Sequence, residues 1–288
     1  MSKFFIDSNS ELWYTRADEL GLEVIGMPYT LDEDDERAYD LGRNTDFETF
    51  FERIKKGAVA KTQALNTQNY IDYFEPVLEA GEDIIYIHFS SKMSGTFKQM
   101  EQAIEILKEK YPERKILTAD TLTISLGEAL MVYDCAKMWK AGVKDEDIIK
   151  YVEEKRNNYT CTFIVEDLGH LKRGGRLSTA SCIFGTMLNI KPILKVNENG
   201  EIVKAQTTKG LKKGIKDMVQ IVKENGTELD KHPMIIAHAC AEEYANELKQ
   251  QLQAEFPTAE IWIQKIGPTI GSHCGPGTFG IAFYAKTR

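Results

Sequence analysis

Short apolar runs alternate with amphipathic stretches through the first half of this chain, and that alternation leaves few folds open. FFID, EVIGM and DIIYIHF (Asp83 to Phe89) have strand length, while FETFFERIKK and the segment from Asn69 to Glu79 repeat apolar residues at helical spacing. Strands alternating with helices predict parallel βαβ units. KILTAD (Lys115 to Asp120) supplies another strand, and Ile124 to Trp139 carries a long apolar face that includes Leu126, Leu130 and Met138. A right-handed crossover would bring Ser94 and Asp120 to one sheet edge.

The second half reads differently. Asp145 to Asn158 is polar and charged, which predicts an exposed helix and then a boundary. The chain therefore divides into residues 1–158, an N-terminal α/β domain with a Rossmann-like parallel sheet, and residues 159–288, a C-terminal α/β domain. PILKVNENGEIVKA has two runs around Asn-Glu-Asn-Gly, a hairpin signal, so the second sheet should be mixed or antiparallel. Helices fit Leu211 to Glu224 and Ala241 to Phe256, with strands at PMIIAHA, IWIQKI and GIAFYA. A length of 288 residues suits two domains.

Composition removes several classes of function. With 36 Lys and Arg against 44 Asp and Glu, the net charge of −8 offers no footprint for nucleic acid. Cys135, Cys161, Cys182, Cys240 and Cys274 are dispersed, odd in number and without a CxxC pair, as expected of reduced thiols in a cytoplasmic protein without structural metal. There is no charged and apolar leader and no apolar run of spanning length, so a protein without a transmembrane segment is expected.

Three segments bear candidate chemistry. SSKMSGTF places hydroxyls and one glycine between a strand and a helix, where ligands bind in α/β folds. With Ser94 as N-cap, the amides of Gly95 and Thr96 would face outward as an anion seat. The bland reading is a cap and a turn. GSHCGPGTFG sets His273 in the most glycine-dense loop, where a backbone can approach a ligand closely and the imidazole can donate to an anion. GHLKRGGRLSTA flanks a glycine pair with Lys172, Arg173 and Arg176, which either hold a phosphate, dock a partner, or end a helix. KTQALN leaves Thr62 open as a ligand hydroxyl or an ordinary loop residue. The pairs His238/Cys240 and His273/Cys274 lack metal or thiol-protease spacing, and LDEDDERAYD reads as a solvated acidic loop.

Taken together, FFIDSNSEL, KTQALN, SSKMSGTF, LKRGGRLSTASCIFGTMLNIKPIL and IGSHCGPGTFGIAF resemble the DegV family, whose members include FakB-type subunits of a bacterial fatty acid kinase. The resemblance covers nearly the whole chain. It implies a two-domain α/β protein that encloses one long-chain fatty acid, with no covalent cofactor and no catalysis of its own. By match of motif, Thr62, Ser94 and His273 would hold the carboxyl group, assisted by Gly95 and Thr96, with Cys274 adjacent. A separate ATP-binding kinase subunit would phosphorylate the presented carboxylate for phospholipid synthesis; Arg173, Arg176 and position 206 are the docking candidates. Gln63, Cys274 and Gln206 stand where the family often has serine, threonine and arginine.

The residues also admit a serine hydrolase with Ser94 as nucleophile and His273 as base, although the G-x-S-x-G elbow is missing. A sugar or small-metabolite binding module is a third reading. Phosphoryl transfer needs a phosphate cradle and bound magnesium, and no cradle of the GxxxxGK[ST] kind is evident, which favours a carrier over a self-sufficient phosphoryl-transfer enzyme.

Overall fold

The structure, a computed structural model, describes residues 2–177 and 190–288. The first half holds seven strands and six helices: β1 (Ser2–Asp7), α1 (Tyr14–Leu20), β2 (Glu23–Ile25), β3 (Pro28–Leu31), β4 (Arg37–Ala38), α2 (Phe47–Lys55), β5 (Ala60–Thr62), α3 (Thr67–Glu79), β6 (Asp83–His88), α4 (Thr96–Lys110), β7 (Ile116–Asp120), α5 (Leu126–Lys140) and α6 (Asp145–Lys155). The second half adds β8 (Tyr159–Ile164), α7 (Leu168–Arg173), β9 (Ile190–Val196), β10 (Ile202–Lys209), α8 (Leu211–Asn225), β11 (Met234–His238), α9 (Glu242–Glu255), β12 (Ile261–Lys265), α10 (Pro268–Cys274) and β13 (Phe279–Tyr284).

The parallel sheet that the alternation predicts is present, in the order β2-β1-β6-β7. Its central strand β6 is a continuous apolar run because helices cover both faces: Ile84, Ile85, Tyr86 and Ile87 are wholly buried. His88 pairs in register with Asp120, which brings the turns after β6 and β7 side by side. The second sheet is mixed, β10-β9-β8-β13-β11-β12, with only β11 and β12 parallel. The Asn-Glu-Asn-Gly hairpin forms as expected, with Gly200 at φ +81°.

Three local expectations change. A small antiparallel sheet, β4-β3-β5, interrupts the parallel pattern and carries part of the acidic segment 31–40. The polar helix after Asp145 ends at Lys155, and a 3-10 turn covers Arg156–Asn158. The glycine-dense GSHCGPG segment is largely helical, since α10 runs through His273 to Cys274.

One buried cluster joins residues of both halves, from Phe4 and Ile85 to Cys161, Leu194 and Ala282; a second lies beneath α8 and α9. No helix among the described residues is long and apolar enough to cross a membrane. Cys135, Cys161, Cys240 and Cys274 are free thiols, while Cys182 and positions 178–189 of the GGR motif lie outside the described residues.

Candidate functional site

Where the two sheets face each other they enclose a cavity of about 200 Å³. At about 10–15 Å³ per water-sized group, that is room for on the order of fifteen such groups. Its wall is mainly apolar, with Met27, Phe89, Ile124, Phe163, Ile202 and Ile266 contributing from both halves. Thr62, Ser94, Gly95, His273, Cys274 and Arg176 line it as well. Gln63, Ala64 and Gly95 are exposed, so this polar end opens to solvent.

The polar end is assembled from four elements. Thr62 closes β5, and its hydroxyl lies 2.8 Å from His273 Nε2, joining positions 211 residues apart. Helix α10 supplies the histidine, and the spacing of Thr269, Ile270, His273 and Cys274 puts all four on one stripe that faces the cavity. No side chain of its own N-cap residue, Gly267, secures this short helix. The carboxyl group of Glu11 does so from the other half, accepting the Gly267 amide with its oxygens at 3.0 and 2.9 Å. Burial pushes the Glu11 carboxyl up to about 8, against the opposing pull of the Gly267 hydrogen bond.

The glycines around His273 do something other than expected. A Cβ at Gly271 would strike Phe51, one at Gly275 would strike His170, and one at Gly277 would strike Glu166. They admit the protein's own side chains, so the ligand-approach reading of these glycines is withdrawn. Gly174 matters most: a Cβ there would lie 2.3 Å from His273 Nδ1. The imidazole is thus wedged between Thr62 and the GGR turn.

That turn ends a helix, as one of its readings held: α7 stops at Arg173, and Gly175 takes φ +69°. Arg176 then folds back, donating from Nε to Met93 O at 3.2 Å and from a terminal nitrogen to Gly174 O. Its guanidinium reaches the cavity, which docking alone did not anticipate. Arg173 is exposed and Gln206 is exposed on β10 beside a register shift, and neither lines the cavity.

In the turn before α4, the N-cap is Gly95 and not Ser94. Ser94 Oγ instead accepts the Thr96 amide at 3.2 Å, so that amide is already used, and the Ser94 O–H and Gly95 N–H are the donors left to residues that line the cavity. Thr96 is wholly buried away from the cavity. Its hydroxyl meets Tyr70 Oη at 3.0 Å and donates to Leu65 O at 3.2 Å, tying α3 to α4. The expected ligand role of Thr96 is therefore replaced by a strut in the core.

Charge is also distributed differently. Burial, with the nearby positive charge of Arg176, lowers the His273 pKa to about 4, so the imidazole is neutral at physiological pH. Arg176 is the cation at this end; burial lowers its pKa but leaves a guanidinium protonated. Burial raises the Cys274 thiol to about 12, which suits packing and not nucleophilic chemistry.

The hydrolase arrangement is not assembled. Thr62 holds His273 Nε2, and Nδ1 is buried against Gly174 without a hydrogen-bond partner. Among the described residues, no cluster of His, Cys, Asp or Glu could hold a metal ion.

The profile of the DegV family, described as uncharacterised proteins, matches residues 2–286. The chain belongs to the DegV family. A DegV domain-containing protein of Clostridium perfringens is 33% identical over 290 aligned residues, covering 100% of this chain and 99% of its relative. Among solved structures, DegV of Bacillus subtilis, described as a fatty acid binding protein, is 28% identical with a TM-score of 0.83 and 99% coverage of both chains. A DegV family protein of Thermus thermophilus, described by its fatty acid binding, is 25% identical with a TM-score of 0.85, covering 98% of this chain and 99% of the other. A lipid-binding DegV protein of Thermotoga maritima shares the fold at 23% identity, with a TM-score of 0.84 and full coverage of both. The DegV fold, with its parallel sheet and mixed sheet, is thus established for this chain.

Proposed function

We propose that this DegV protein binds one long-chain fatty acid in the cavity between its sheets, with the carboxylate at Thr62, Ser94, Gly95, His273 and Arg176. The observation that carries the reading is a mainly apolar cavity with one polar, solvent-reaching end. Similarity to fatty-acid-binding DegV proteins supports it. At about 0.8 kcal/mol per buried CH₂, a sixteen-carbon tail supplies roughly 12 kcal/mol before entropic costs. Contacts at the head therefore orient the ligand, and Arg176 keeps the carboxyl ionised. Cys274 packs beside His273 and contributes shape.

The same geometry favours presentation to a partner. An ionised carboxylate at an open end is a competent nucleophile for a separate ATP-binding kinase subunit in the cytoplasm. A carboxylate oxygen would form a bond to the γ-phosphorus as the bond to the β,γ-bridging oxygen breaks, releasing ADP and leaving an acyl phosphate. Arg173 and Gln206, exposed and outside the cavity, are the proposed docking positions.

Lipid extracted from purified protein and identified by mass spectrometry tests the binding step. Recovery of a stoichiometric long-chain acid is expected; a protein that yields none and takes up no added palmitate or oleate would refute it.

A further inference from the structure

Away from the polar end, the cavity wall is the turn that joins β7 to α5, where Ile124, Ser125 and Leu126 face the interior. The helices at the two ends rest on different neighbours. Helix α10 packs chiefly on α7, β5, α2 and β3, whereas α5 packs chiefly on β8, α6, β13, β11 and the 3-10 turn Ser8–Ser10.

This rear turn is strained. Leu122 has φ +47° and Ser125 has φ +55° with ψ −131°, conformations that residues with a side chain rarely keep without external support. Local support comes from Asp120 Oδ1, which accepts the Leu122 amide at 2.8 Å, and from Asn9 O, which accepts the Ser125 amide at 2.9 Å.

Ser90 N–H donates to Thr123 O at 2.7 Å, and Thr121 Oγ1 accepts the Thr123 amide at 3.3 Å. Further support comes from Arg288, which follows β13. Its guanidinium donates to Thr121 O at 2.8 Å, to Leu122 O, to Arg156 O at 2.6 Å, to Tyr159 O at 3.0 Å and to Asn197 O at 3.4 Å. Every one of these acceptors is a peptide carbonyl, and among the described residues no carboxylate is hydrogen-bonded to the cation. A planar group with five fixed N–H directions acts here as a template for backbone geometry. It fixes the rear turn to the strand β8 and to the β9–β10 hairpin at once.

We propose that Arg288 is a positioning residue that sets the depth of the cavity, and thereby the length of acyl chain the protein accepts. The inference rests on the fatty-acid reading above. A short chain held at the polar end stops before the rear wall, so it is indifferent to the clamp; a chain of optimal length touches Ile124 and Leu126 and depends on it.

The test measures the affinity of the full chain for saturated acids from decanoate to eicosanoate. In wild type, affinity should pass through an optimum. In Arg288→Ala the optimal acid should lose about tenfold, the cost of a relaxed strained turn. The shortest acids should change less than about twofold, and the optimum should move to longer chains. Arg288→Lys, with three donors for five carbonyls, should shift the profile part-way and serves if the alanine variant does not fold. Adding Leu122→Asn, which tolerates the left-handed backbone, should return the Arg288→Ala profile toward wild type. Equal weakening at every chain length, or an unchanged profile, would overturn the inference while the binding reading stands. A wild-type protein that binds no acid would overturn both.

Discussion

The two ends of the cavity are stabilised by different means. At the polar end, side chains reach across from distant elements: Thr62 to His273, Arg176 to Met93 O, and Glu11 to the amide of Gly267, the N-cap of α10. At the rear, a guanidinium holds backbone carbonyls, and Ile124 and Leu126 face the cavity. The contrast teaches that head-group chemistry and chain length are set by separate residues, so they should respond separately to mutation.

The largest expected effect comes from the wedge at His273. Gly174→Ala drives a methyl against Nδ1 and should lower stability by about 2 kcal/mol, with palmitate affinity falling about tenfold or more. Gly175→Ala has open space and only a left-handed φ to contend with, so it should cost about 1 kcal/mol of stability and leave affinity intact. Denaturant unfolding and ligand titration of the pair check this; equal loss of affinity in both would break the contrast.

Removing the head contacts one at a time should matter less, because the tail dominates binding. His273→Ala and Thr62→Val should each weaken palmitate binding by about 1 kcal/mol, with no change in the chain-length optimum. A shifted optimum would show that the two ends are not independent.

Glu11 gives a pH test of the same end. Its carboxyl rises from an ordinary 4.5 to about 8 in the folded protein. Between those values the folded state holds a proton that the unfolded chain has released. The resulting stability is fully present below about pH 4.5 and is lost as pH rises to about 8. Asp7, pushed up to about 7 by burial, acts in the same direction. Glu11→Gln should flatten the decline by up to ~1.4 kcal/mol per pH unit in urea unfolding followed across that range. An unaltered slope would remove Glu11 from the account. The smallest effect belongs to the surface: Gln206→Ala should change fatty-acid affinity by less than about 1 kcal/mol, measured in the same titration.

Much of this was legible in the residues. The apolar run of β6 and the hydroxyl cluster after it located the sheet edge, and the two long GSHCGPG and GGR segments located the other side. What escaped has physical causes. Helix α10 contains Gly271 and ends in a Gly-Pro-Gly segment, so local propensity argues against it; Glu11, 256 residues earlier than Gly267, supplies the cap. Thr96 and Ser94 sit two positions apart at a helix start, and only the packing against Tyr70 decides which one turns inward. Arg176 read as a phosphate-holding, partner-docking or helix-ending residue, because its anchors, Met93 O and Gly174 O, are backbone atoms that no residue pattern records. The rear clamp of Arg288 was invisible for the same reason.

The central claim is that an ionised carboxylate rests beside Arg176, Thr62 and a neutral His273. NMR of bound palmitate labelled with ¹³C at the carboxyl carbon tests it directly. The account predicts a resonance distinct from that of free acid, staying at its ionised position as pH falls to about 4, and displaced in Arg176→Gln. A bound carboxyl that is protonated at neutral pH, or one indifferent to Arg176, would contradict it.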